Sequence, residues 1–232
     1  VWQEVRERLH PRGLEIVTVA LDTEGPSAAL PFVESAKAEH PSLIDVAHVV
    51  DELFGVVNVP NGVWIDEQGM IVRPAEPAFP GRNPVLESFE KMDTSKLPPE
   101  LAEVLSEAKK IKTDPAAYLA MLEDWVANGA DSRFALKPDQ VVARSQPRPK
   151  QTAEAAAHFE LGQRLHQDGH IEAAQGHWRQ AHRLQPDNWT YKRQAWNFVS
   201  PVVQAHTDVY DGSWYEDVKK IGAENYYPPV VP

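Results

Sequence analysis

An α/β half followed by an all-α half is the architecture this sequence predicts, on three observations. Residues Leu14-Glu15-Ile16-Val17-Thr18-Val19-Ala20-Leu21 are rich in β-branched side chains, the pattern of a strand covered on both faces. Val56 to Val72 reads as strand, turn and strand, with the turn at Glu67-Gln68-Gly69. From Pro99 onward apolar residues recur at helical spacing, and no strand pattern returns.

Each element follows from local chemistry. Val1 to His10 is an amphipathic helix with Trp2, Val5 and Leu9 on one stripe. It has neither an N-cap nor an initiator methionine, and truncation of a longer chain is the expectation there. Pro11-Arg12-Gly13 is a turn into the Leu14–Leu21 strand, which Asp22 closes. Ser27 is placed to cap a helix running to about His40, with Leu30, Phe32, Val33 and Ala36 as its apolar side. Asp45 to Phe54 reads as a short helix stopped by Gly55. Pro60 precedes the hairpin, Asp66 belongs to the hairpin turn, and Asn83 to Met92 reads as a helix covering the sheet.

The Val59-Pro60-Asn61 segment with Ile65-Asp66-Glu67-Gln68-Gly69, taken with the order helix, strand, helix, helix, hairpin, helix, resembles a thioredoxin-like redoxin of the TlpA/ResA type, within the AhpC/TSA-like superfamily. The resemblance implies that Pro60 is cis and that Val59, Pro60 and Asn61 line the edge that binds an extended substrate segment. It also implies a central strand between Leu14–Leu21 and the hairpin, and a Cys-x-x-Cys pair at a helix start. The chain has neither that strand nor any cysteine. Both are expected upstream of Val1, the first helix then being the tail of the one bearing the thiols. No residue present is assigned as catalytic.

The chain divides into four expected pieces. Residues 1–92 form the incomplete redoxin domain, and 93–150 a helical linker region. Residues 151–200 form a helical hairpin with a following helix, and 201–232 an aromatic and proline-rich tail that straps across a groove. Pro99 to Lys112 is helical, Asp114-Pro115 caps a helix that Gly129 ends, and Phe134 to Lys150 reads as irregular. Leu161, Gly162, Leu165, Gly169, Ala174, Trp178, Ala181 and Pro186 fall at the spacing of a tetratricopeptide repeat, which this stretch resembles. Small residues at Gly162, Ala174 and Ala181 let two antiparallel helices approach. Leu161, Leu165 and Trp178 fill the seam, Gly169 turns the chain, and Pro186 follows the second helix. Asn188 to Val199 continues as a further helix.

The bulk numbers narrow the function. A net charge of −11 disfavours nucleic acid and anionic membrane surfaces as partners. No apolar run is long enough to span a membrane. Without cysteine there is no disulfide, thiolate metal site or thiol nucleophile in these 232 residues. His158, His166, His170, His177 and His182 crowd one hairpin, but Asp168-Gly169 interrupts the helix between His166 and His170, so no metal is expected, nor any cofactor. Trp189, Tyr191, Lys192, Arg193 and Trp196 read as core rather than a base-stacking surface. Three functions follow: a thiol–disulfide oxidoreductase or peroxide-handling redoxin with its cysteines upstream, a cysteine-less redoxin that binds protein or peptide, or a tetratricopeptide interaction scaffold. Compartment, with a leaning to the cytoplasm, and oligomeric state do not follow from the sequence.

Overall fold

The computed structural model describes residues 1–81, 92–145, 147–200 and 208–230. The expected helix at Asn83–Met92 therefore lies outside the described residues, apart from Met92. The protein is mixed α/β, predominantly helical, with two small sheets in the first part and a helical C-terminal half. It forms two units, one of residues 1–81, 114–148 and 229–232, the other of 82–113 and 149–228. The segment 93–150 is thus divided between them.

In the first unit α1 (Trp2–Leu9) buries Val5 and Leu9, and Gly13 turns the chain at φ 103°. β1 spans only Thr18–Leu21 and runs parallel to β2 (Ser42–Asp45). Two expectations are corrected here. β1 is half-buried along its whole length rather than covered on both faces. The Ser42–Asp45 stretch, read as loop and helix start, is a strand. α2 (Pro26–Ala36) is not capped by Ser27, whose Oγ donates to Glu24 O instead; Gly25 occupies the cap position. The stripe expected to be buried is largely open to water, Phe32 being 76% exposed. α3 (Val49–Phe54) ends at Gly55 in the left-handed region, as Gly permits without a Cβ penalty.

β3 (Asn61–Ile65) and β4 (Ile71–Pro77) form an antiparallel hairpin, a sheet separate from β1–β2. Asp66 Oδ1 accepts from the Gln68 and Met70 amides, and Gly69 takes φ 78°, which closes the turn. The core of this unit gathers Val5, Leu9, Ile16 and Trp64 with residues from far along the chain. These come from α5 (Pro115–Asn128), which supplies Tyr118, Met121 and Leu122, and from Phe134. Asp114 caps α5 by accepting from the Ala117 amide at 3.0 Å. The stretch read as irregular after Phe134 contains α6 (Pro138–Arg144), initiated by Pro138 and by Gln140 Oε1 accepting from the Lys137 amide.

The second unit is helical. α4 (Pro99–Ala108) packs Val104 and Ala108 against its core. α7 (Lys150–Gln167) and α8 (Ile171–Leu184) form an antiparallel hairpin, and α9 (Trp189–Asn197) follows, capped by Asn188. The expected strap holds a helix instead, α10 (Trp214–Ile221), begun by Ser213 and burying Trp214 and Val218. These two buried residues are one turn apart, the spacing of a packed helical face. Among the described residues no helix is long and apolar enough to cross a membrane.

Candidate functional site

The first candidate is the edge at Val59–Asn61. The Val59–Pro60 peptide bond is cis. Asn58, itself buried, accepts the Val59 amide at its Oδ1 at 2.9 Å, so the donor expected to serve a bound strand is already engaged by a side chain. Pro60 O accepts from Ala78 N, fixing the entrance to β3 against the end of β4. Asn61 Oδ1 is buried with no hydrogen-bond partner among the described residues. At Gly62 a Cβ would stand 2.8 Å from Tyr118 OH and 3.0 Å from the Ala78 methyl, so only glycine fits. Tyr118 in turn accepts the Trp64 Nε1–H at 3.1 Å, and burial raises its hydroxyl to about 12. Trp64 stacks on Trp125 at 4.9 Å, so β3 is held rigidly beside this edge.

The sheets leave edges open. Thr18 donates its amide to Pro41 O at 3.0 Å, which directs Thr18 and Ala20 to β2. By the alternation of a parallel ladder, Val19 and Leu21 turn their N–H and C=O groups the other way. No further strand joins β1 or β3 among the described residues, whereas the outer side of β4 is met by the Leu136 amide, which donates to Val72 O. Asp22 acts in a turn, accepting from the Glu24 amide. A buried pair that sequence reasoning missed, His48 Nδ1 and Asp51 Oδ2 at 2.9 Å, closes the first turn of α3.

The second candidate is the α7–α8 hairpin. Ala174, Ala181 and Trp178 are buried, Leu165 is half-buried, Gly169 turns at φ 82°, and Pro186 lies beyond α8. A Cβ at Gly162 would lie 2.5 Å from the Trp178 ring, which is the close approach the small residue permits. Leu161 is a correction: it is 44% exposed, and Phe159 fills the seam in its place, stacked on Tyr191 at 4.1 Å. The rings of Trp189, Tyr191 and Trp196 are buried in the core, and Lys192, also buried, is paired to Asp217 at 2.6 Å. Behind them a small cavity is lined by Arg179, His182, Trp196 and Tyr210. Burial pulls the His182 imidazole down to about 3, helped by the Lys192 charge. His182 Nε2, Trp196 Nε1 and Tyr210 OH are buried without hydrogen-bond partners among the described residues. Sequence reading had no signal for this group, because it joins α8, α9 and the approach to α10.

No family model, curated protein or solved structure matches the chain. The geometry stands alone.

Proposed function

We propose that the first unit is the distal part of a thioredoxin-like redoxin domain, which takes an extended strand between β1 and β3 and holds polypeptide beside Val59, Pro60 and Asn61. The observation that carries this reading is the division into a parallel β1–β2 pair and an antiparallel β3–β4 hairpin. That is the pattern left when one central strand of such a sheet is absent. Strand addition would satisfy the outward backbone groups of Val19 and Leu21. Thiol–disulfide chemistry enters only with cysteines borne on the segment that supplies the strand, since these 232 residues have none.

Amide hydrogen exchange tests the reading. In the 232-residue protein, Val19 and Leu21 should exchange fast while Ala20 is protected. In the polypeptide purified from its source, sequenced from its terminus, all three should be protected if it carries the strand. Protection of Val19 and Leu21 in the 232-residue chain alone would show that β1 is already paired and would end the proposal. A Cys-x-x-Cys on the strand-bearing segment would favour the oxidoreductase. Its absence there would favour a binding module. Gly162 seated under Trp178 supports a second reading, a tetratricopeptide-type scaffold for a protein partner in the helical unit.

A further inference from the structure

His158 on α7 and His177 on α8 face each other with their Nδ1 atoms 2.8 Å apart and ring centroids 5.0 Å apart, both half-buried. At that distance one Nδ1 carries the hydrogen and the other offers its lone pair. Moving that hydrogen to Nε2 of the same ring leaves both imidazoles neutral and turns two lone pairs toward one point. Bonds of about 2.0–2.1 Å from Zn²⁺ to imidazole nitrogen, at a tetrahedral angle, hold two ligand nitrogens about 3.4 Å apart. Small rotations of the two rings supply the difference. The helices themselves stay fixed, because the next residue on each, Phe159 and Trp178, is anchored in the core.

We propose that His158 and His177 form an open, two-ligand site for a late first-row divalent metal ion, Zn²⁺ or Ni²⁺, that clamps α7 to α8. Imidazole suits these ions, whereas Mg²⁺ and Ca²⁺ take oxygen ligands. Among the described residues no group of three His, Cys, Asp or Glu is gathered to hold a metal ion, so water completes the coordination. The site is independent of the redoxin reading, since it lies wholly in the helical unit.

Thermal unfolding of the 232-residue protein in Zn²⁺, Ni²⁺ and Mg²⁺ tests it. Zn²⁺ and Ni²⁺ should raise the Tm of the helical unit by about 2–4 °C, the shift a modest ligand gives a chain of this size, and Mg²⁺ should not. His158→Asn and His177→Asn should each abolish the shift, while His170→Asn should keep it. Should either Asn variant prove unfolded without metal, imidazole ¹⁵N spectra of the unaltered protein decide: added Zn²⁺ should move the Nδ1 signals of His158 and His177. No Tm shift with either metal, a shift that persists in both folded variants, or unmoved Nδ1 signals would overturn the site.

Discussion

At Gly162 a methyl group has no room, because Trp178 is fully buried on the facing helix and its ring already lies within 2.5 Å of where a Cβ would stand. Gly162→Ala should therefore cost the helical unit up to about 2 kcal/mol net, the overpacking of about 1–3 kcal/mol being offset by the ~1 kcal/mol helix-propensity gain of alanine. Chemical denaturation reads the sign directly, and a stabilised variant would contradict the packing. His182 makes a second residue-scale prediction. Its folded value, about 3, lies below the ordinary 6.5. Between those values the unfolded chain binds a proton that the folded chain refuses, so its contribution is complete above 6.5 and lost as pH falls toward 3. His182→Gln should flatten the Tm-against-pH curve over that interval. Single residues were legible where one side chain dictates its neighbour's size, as Gly162 does with Trp178. They were illegible where two helices bring partners together: His158 and His177 are nineteen positions apart, and no spacing on one helix announces them.

Elements were legible where an end residue acts as its chemistry suggests, which Ser27 does not on α2, and the helix that Ser213 begins was not read at all. Asp114 and Gly129 bound α5, and Gly55 stops α3, as their chemistry requires. Asp114→Ala should cost about 1 kcal/mol, the ordinary worth of an N-cap, measured as a shift in the unfolding midpoint at constant slope. Elements defined by pairing were harder to read. Ser42–Asp45 has only four residues and no alternation, and it becomes a strand because Thr18 and Ala20 are there to bond it. β1 is shorter than its apolar run, beginning at Thr18 and leaving Val17 54% exposed. α2 shows the same dependence, since an apolar stripe is buried only if something lies over it. Phe32→Ser should consequently change the stability of the 232-residue chain by less than about 0.5 kcal/mol, as at an ordinary surface position. A loss of several kcal/mol would show that Phe32 is covered in solution.

At the scale of the molecule, the mixed α/β class with a helical C-terminal half was legible, but the division of the chain into two units was not. The reason is that the first unit draws its core from two separated stretches. Trp64, in the hairpin, stacks on Trp125 and bonds Tyr118, both on α5, more than fifty residues later in the chain. Met121, Leu122 and Phe134 join Val5, Leu9 and Ile16 in the same cluster. A cut near residue 92, placed where composition changes, would separate those partners. Each large side chain that loses its packing costs about 2–5 kcal/mol, and losing this many exceeds the 5–15 kcal/mol that holds an ordinary domain together. The fragment 1–92 should therefore lack fixed tertiary structure, with weak near-ultraviolet circular dichroism and poorly dispersed amide resonances. A chain retaining 114–148 should restore both signals, because it returns Tyr118, Trp125 and Phe134 to the hairpin. A fragment 1–92 that unfolds cooperatively on its own would show instead that β1–β2 and the hairpin suffice without α5, and would move the boundary of this unit to the composition change after all.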